Sequence, residues 1–367
     1  MYTSTTSYRA GYKILAIILA AIMLITLLPV AVNGDDEVQP SQYYTIVDED
    51  SVADIQAALQ DKIDTIALLD AGGGTVTVTG SKTDADATLE LVIPEGVTVV
   101  WYADYSGADD FTGTLIKINA GSGEELDVGT FHVAGGIITS IGTLIDSYGD
   151  LLISGGILSN ASEVPLTSDT LSGIEARNIT ITDGTIAAHG YYSGIEAYVN
   201  ISIDGDDTVV TAHAVTEEND VDFKGNPLNE VYGYAILAEG DITIGGGTVI
   251  TDGGASGIHS DGDINIRGNA DVTATAVSKQ SGTAHFNTSE PDYYYTELFE
   301  EIIGYGIFAS GDITISESAK VEAEGGTFGI LSVKNVNIEG GIVISEGAVI
   351  TTTTVTAAVF SVMQAFI

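Results

Sequence analysis

The chain of 367 residues contains no cysteine, 6 prolines and only 11 lysines and arginines, against 52 aspartates and glutamates. Without cysteine it can form neither a disulfide nor a thiolate metal centre. Its formal net charge of −41 repels phosphate, which argues against nucleic-acid binding. The shortage of cations also argues against chemistry that needs a cluster of basic side chains. Disorder is not expected, because 44% of the residues are hydrophobic and the mean hydropathy is +0.26.

Residues 1–34 have the pattern of a secretory signal peptide. Arg9 and Lys13 precede an apolar run that ends near Leu28, and small residues then lead to Asp35. This is the order of charged, apolar and small segments found in cleaved signals. An uncleaved membrane anchor is the alternative, because the apolar run approaches the roughly 20 residues that span a bilayer. In both cases we expect the protein to be secreted or held at the cell surface.

A repeat of about 22 residues determines the predicted architecture. Apolar and polar residues alternate within it, as in Ile242-Thr243-Ile244, which is typical of a strand with one buried face. Such strands bury that face when successive turns stack in register, so the sequence predicts an all-β fold, a right-handed parallel β-helix. An acidic or amide residue in each repeat is expected to form a corner ladder by bonding to the backbone at the bend. The predicted ladder residues are Asp150, Asn178, Asn200, Asp241, Asp263, Asp312 and Asn335.

The rest of the chain is arranged around this solenoid. A helix near the N-terminus places Val52, Ile55 and Leu59 on one side, and we expect it to cover the exposed end of the strand stack. The predicted segments are a signal peptide (1–34), an N-terminal segment with the capping helix (35–62), the β-helix (63–356) with side inserts at about 216–232 and 278–303, and an apolar tail (357–367).

The repeated unit G-I-x-A/S-x-G/N-D/N-I-x-I resembles that of extracellular carbohydrate-binding β-helix proteins of anaerobic bacteria and archaea. These proteins are described as adhesin-like and are similar in fold to pectate lyases. The resemblance covers roughly residues 129–350. It implies a surface that binds polysaccharide or another cell-surface glycan, with bound Ca²⁺.

Alternation along the strand before each ladder residue also predicts which side chains point outward. Asp146, Glu175 and Glu196 would lie on successive turns about 5 Å apart, where each adjacent pair of carboxylates repels by roughly 3 kcal/mol. Ca²⁺ bound by these three residues would offset that repulsion. The alternative is an acidic stripe that is screened by salt. The predicted stripe is Asp146, Glu175, Glu196, Leu237, His259, Phe308 and Leu331.

Aromatic residues are concentrated beside the apolar end of this stripe. The two inserts leave the coil at equivalent places, so we expect them to form one lobe on the same edge. Sugar rings stack on aromatic faces while their hydroxyls bond to carboxylates. The alternative is that the tyrosines only pack the inserts against the coil. The predicted ligand-binding residues are Tyr234, His259, Tyr293, Tyr294, Tyr295, Tyr305 and Phe308.

Three functions agree with these features. The first is a non-catalytic binding protein for polysaccharide or another cell surface, with Ca²⁺ as a possible requirement. The second is a Ca²⁺-dependent, pectate-type polysaccharide lyase, in which Arg177 is the one cation beside the candidate metal ligands and would act as the base. The third is a structural envelope protein without a specific ligand.

Two further sets of residues give weaker predictions. The histidines at 132, 189, 213, 259 and 285 show no H-x-H or H-E-x-x-H spacing, which argues against a zinc site. Asn160 and Asn287 lie in glycosylation motifs and are expected to be available at the surface.

Overall fold

A computed structural model describes residues 41–69, 73–119, 128–160, 172–214, 233–276, 304–326, 328–347, 354–355 and 360–364. The predicted signal peptide, both inserts and most of the apolar tail lie outside these residues, as do Tyr293, Tyr294 and Tyr295. No helix in the described ranges is long and apolar enough to span a membrane.

The described strands form three stacks of parallel strands, two of which belong to one sheet of 20 strands. The first stack consists of β1 (Ser41–Ile46), β2 (Gly74–Ala85), β4 (Val97–Trp101), β7 (Thr130–Val133), β10 (Asp150–Asn160), β12 (Ile179–Gly190), β14 (Ile201–Ile203), β17 (Ile242–Ile244), β20 (Ile264–Ile266), β23 (Ile313–Ile315), β26 (Val336–Ile338) and β28 (Thr354–Val355).

The second stack shares the long strands β2, β10 and β12 with the first. Its other members are β5 (Asp104–Gly107), β8 (Ile137–Ser140), β15 (Val209–Ala214), β18 (Thr248–Gly253), β21 (Asp271–Ala276), β24 (Lys320–Gly325), β27 (Ile342–Glu346) and β29 (Phe360–Gln364).

The third stack is a separate sheet of nine strands. It consists of β3 (Leu89–Val92), β6 (Ile116–Asn119), β9 (Ile145–Ser147), β11 (Ser172–Ala176), β13 (Ser193–Ala197), β16 (Tyr234–Ala238), β19 (Ser256–Ser260), β22 (Tyr305–Ala309) and β25 (Phe328–Ser332). Because successive turns of the chain add strands to all three stacks, the fold is the parallel β-helix that the repeat predicts.

The core lies between the stacks and is built from the apolar residue that recurs in each strand. Ile174, Ile195 and Ile236, for example, are aligned on neighbouring strands of the third stack and are fully buried. The largest fully buried side chains are aromatic rings of the early turns. Trp101 lies 5.7 Å from Tyr105 between ring centroids, and its Nε1 donates to the Ala103 carbonyl at 2.9 Å. Apolar burial along the whole solenoid therefore stabilises the stack.

The predicted corner ladder is confirmed for its central members. The Oδ1 atom of Asn200 accepts the Asp241 backbone N–H at 2.8 Å, and Asp241 accepts that of Asp263 at 2.8 Å. Asp263 in turn accepts the Asp312 N–H at 2.7 Å. A Cβ atom at Gly311 would collide with the Asp263 Oδ1, which explains why glycine precedes the aspartate in that turn. Each of these three side chains thus satisfies a backbone donor of the next turn.

Helix α1 (Val52–Leu69) covers the first strand of the third stack and extends beyond the predicted segment. Ser51 caps it, since its hydroxyl oxygen accepts the Asp54 backbone N–H at 3.2 Å. The Gln60 carboxamide pairs with the free edge of β3, where it donates to the Val92 carbonyl and accepts the Val92 N–H, both at 2.9 Å. This contact occupies backbone groups that would otherwise pair with another chain. The buried face of the helix consists of Val52, Ile55, Leu59, Ile63 and Ile66.

One surface prediction is wrong. Asn160 is only 3% exposed, because its side chain is used to hold two neighbouring turns. Its Oδ1 accepts the His189 N–H at 2.7 Å, and its Nδ2 donates to the carbonyls of His189 and Gly142 at 2.7 and 3.1 Å. A glycan could not be attached to this amide in the folded chain.

Candidate functional site

The predicted stripe lies in register on the third stack, but Leu237, Phe308 and Leu331 at its apolar end are at most 8% exposed, so that end does not face solvent as the alternation predicts. Each of its members pairs with the next on the neighbouring strand, and two further residues, Glu90 and Lys117, extend it toward the capping helix. We refer to this row as the outer column. Its members are Glu90, Lys117, Asp146, Glu175, Glu196, Leu237, His259, Phe308 and Leu331.

Lys117 neutralises one end of the acidic part of the column. Its Nζ lies 2.7 Å from the Asp146 Oδ2, and this hydrogen bond raises the pKa of the lysine. Sequence analysis missed Lys117 because the repeat motif is weak before residue 129. The alternation Leu115-Ile116-Lys117-Ile118 was the signal that could have placed it on the column. Asp146 therefore already has a cationic partner.

Glu175 and Glu196 form an adjacent pair of carboxyl groups with different surroundings. Burial raises the pKa of Glu175 to about 7, with further contributions from the negative charges of Glu196 and Asp146. The Glu196 Oε2 instead accepts hydrogen bonds from the hydroxyls of Ser172 and Ser193, both at 2.7 Å. A protonated Glu175 beside an ionised Glu196 would let the pair both donate to and accept from a ligand hydroxyl.

Three exposed tyrosines lie at the ends of the strands that carry Asp146 and Glu196. Tyr148 and Tyr198, which are 39% and 38% exposed, follow Asp146 and Glu196 by two residues, just past the ends of β9 and β13. Tyr192, which is 37% exposed, immediately precedes β13. The sequence did not single out these tyrosines, because they lie outside the strands. Only within a strand does the alternation show to which face a side chain points.

Arg177 directly follows the end of β11, just as Tyr148 follows β9 and Tyr198 follows β13 on the two neighbouring strands. It comes one residue after Ala176, which pairs with Ser147 on one side and Ala197 on the other. It forms no ion pair with another residue of the described ranges.

The other end of the column is a run of packed aromatic rings. Ring centroids are 5.4 Å apart for Tyr192 and Tyr234, 4.8 Å for Tyr234 and His259, and 4.7 Å for His259 and Phe308. Phe308 is only 3% exposed, and Tyr305 is 9% exposed with its ring 5.1 Å from that of Phe308. Four of the predicted ligand-binding residues, Tyr234, His259, Tyr305 and Phe308, are thus brought together. The exposed ring of this run is that of Tyr192, at the end next to Glu196.

The three predicted Ca²⁺ ligands lie on consecutive strands. Within the ranges that the structure describes, however, no three side chains of histidine, aspartate or glutamate converge in an arrangement that could hold a metal ion. Lys117 already brings a positive charge to Asp146, which relieves part of the repulsion for which Ca²⁺ was invoked. Calcium binding by Asp146, Glu175 and Glu196 stays a prediction.

No protein family, curated protein or solved structure gives a match to this chain. The fold places it in the class of parallel β-helix proteins.

Proposed function

We propose that this is a secreted or cell-surface β-helix protein that binds polysaccharide, or the glycan of another cell surface, without catalysis. The observation that carries this proposal is the group of exposed tyrosines around the carboxyl pair. Tyr148, Tyr192 and Tyr198 supply apolar ring faces, and Glu175 and Glu196 supply polar groups between them.

The chemistry of this surface fits a sugar chain. The C–H face of a sugar ring packs against a tyrosine ring, and the adjacent hydroxyls bond to carboxyl oxygens. The sites repeat along the column at the spacing of parallel strands, about 4.8 Å, so a linear glycan can lie across several turns. The net charge of −41 repels acidic glycans, which favours neutral ones.

A glycan array tests the proposal. We expect the protein without residues 1–34 to bind a defined set of neutral oligosaccharides, and we expect Tyr148→Ala and Tyr198→Ala each to weaken binding about tenfold or more, because each removes a stacking face. Tyr102→Ala is the matched control, since this tyrosine is 50% exposed but follows β4 in another stack. An array without any bound glycan, or equal losses in all three variants, would contradict the proposal and favour a structural envelope protein.

The same array also tests the role of calcium. It is run in Ca²⁺ and in a chelator, with wild type and with Glu175→Gln. Binding that requires Ca²⁺ and is lost in the variant would support a metal held by the acidic end of the column. Equal binding in chelator would exclude a calcium requirement.

A Ca²⁺-dependent lyase is the second candidate, and the position of Arg177 favours it. This residue directly follows the strand that carries Glu175, and Tyr148 and Tyr198 follow the two neighbouring strands, so a base at this position could meet a bound uronate. Incubation with pectate and Ca²⁺ would then release unsaturated uronides, detected by their ultraviolet absorbance. Abolition of this release in Arg177→Ala would identify the base, and no release by wild type would exclude lyase activity on this substrate.

A further inference from the structure

A second candidate site lies on the outer face of the second stack, away from the outer column. His189 and His213 are 24 residues apart in sequence but pair directly in β12 and β15. Their rings lie 5.5 Å apart between centroids at an interplanar angle of 50°. The next strand places Asp252 in register with His213. Two imidazoles and a carboxylate therefore follow one another on three successive turns.

The state of the ring nitrogens distinguishes this pair from a packing contact. The His189 Nδ1 is buried and has no hydrogen-bond partner, which is costly for a polar atom. The His213 Nδ1 lies 3.5 Å from the Asp252 Oδ2. This contact is longer than a hydrogen bond, but it places a carboxylate on the Nδ1 side of the ring, as is found behind histidines that bind a metal through Nε2.

We infer that His189 and His213 bind a divalent transition-metal ion of the Zn²⁺, Ni²⁺ or Cu²⁺ type, with Asp252 as the orienting partner of His213. A metal bound tetrahedrally at about 2.0–2.1 Å from one nitrogen of each ring would place the ring centroids about 5 Å apart, close to the observed separation. Water completes the coordination, consistent with the absence of a third convergent histidine or acid within the described residues. The anionic surface raises the local concentration of cations.

The backbone under the pair is held in place before any metal binds. Asn160 bonds to both the N–H and the carbonyl of His189 at 2.7 Å, and the parallel ladder fixes His213 relative to it. Nothing in this site overlaps with the residues proposed to bind glycan.

Calorimetric titration of the metal-free protein with Zn²⁺ and Ni²⁺ tests the inference. An excess of Mg²⁺ is present throughout to occupy carboxylates that bind any divalent ion. We expect one strong site per chain, weakened at least tenfold by His189→Ala or His213→Ala, and about tenfold by Asp252→Asn, a typical loss for an orienting partner. His132→Ala is the matched control, because this histidine is also half-buried but bonds to Ser154 in the first stack.

A second measurement keeps the test independent of variant folding. The electron paramagnetic resonance spectrum of wild type loaded with one equivalent of Cu²⁺ should show coupling to two imidazole nitrogens. A spectrum with oxygen ligands only, or tight binding that survives in the double variant of His189 and His213, would overturn the inference. Because glycan binding is measured separately, failure of one site does not imply failure of the other.

Discussion

At the scale of single residues, Glu175 is a carboxyl group whose ionised form is disfavoured by its surroundings. Its pKa in the folded chain is about 7, against an ordinary value of 4.5, so the folded state holds a proton that the unfolded state releases between these two values. Stability should therefore fall as pH rises through this window. The loss of unfolding free energy caused by ionised Glu175 is absent below about pH 4.5 and is complete above about pH 7.

Glu175→Gln removes this penalty because the amide cannot ionise. We expect the variant to be more stable than wild type at pH 8 by about 1–2 kcal/mol, once solvent screening of a partly exposed pair is considered. At pH 4.5 the two proteins should be equally stable. Urea unfolding at both pH values measures the difference. A stabilisation of the same size at both would show that ionisation of Glu175 is not its cause.

The same residues show the limit of sequence analysis for the site. Alternation placed Asp146, Glu175 and Glu196 in one row, because the face of the sheet to which a side chain points depends only on its position along the strand. It could not show that Lys117 completes that row, since the repeat is too weak there, or that Tyr148 and Tyr198 flank it from the corners. His189 and His213 were dismissed on their spacing along the chain, although one turn of the solenoid brings them side by side.

At the scale of elements, the corner ladder depends on one oxygen in each turn. Replacing Asp263 by alanine leaves the Asp312 N–H without its acceptor, and we expect a loss of about 1–3 kcal/mol. Asp263→Asn keeps Oδ1 and removes a like charge between Asp241 and Asp312, so its stability should equal or exceed that of wild type. Thermal or urea unfolding of the two variants compares the two effects.

Asp206 supplies the control for this experiment. It is exposed in the turn between β14 and β15 and does not belong to the ladder, so Asp206→Ala should change stability by no more than about 0.5 kcal/mol. If Asp263→Asn were as damaging as Asp263→Ala, the side-chain charge rather than the acceptor oxygen would be what the ladder needs.

The ladder and the strand stacks were predictable because they repeat. A period-two pattern identifies each strand. The repeat of about 22 residues, as from Asp241 to Asp263, identifies the turn that joins neighbouring strands of a stack. Asn160 shows where such a pattern is insufficient. Its glycosylation motif is purely local, whereas its burial results from hydrogen bonds to Gly142 and His189 in other turns.

At the scale of the whole molecule, the dominant feature is a large excess of negative charge. With a formal net charge of −41, the folded chain brings its carboxylates closer together than the unfolded chain does, and self-repulsion opposes folding. Regular stacking increases this effect, because equivalent acidic residues recur about 4.8 Å apart. Salt should therefore stabilise the protein by screening.

We expect Tm to rise steeply between about 0.01 M and 0.15 M NaCl, where the Debye length falls from about 30 Å to about 8 Å, and more slowly above this range. Each kcal/mol gained should correspond to roughly 2–4 °C or less in a domain of this size. NaCl and KCl should give superimposable curves, because screening depends on ionic strength and not on the identity of the monovalent cation. A Tm that is constant below 0.15 M, or that rises only with one of the two salts, would show that self-repulsion does not limit the stability of this solenoid.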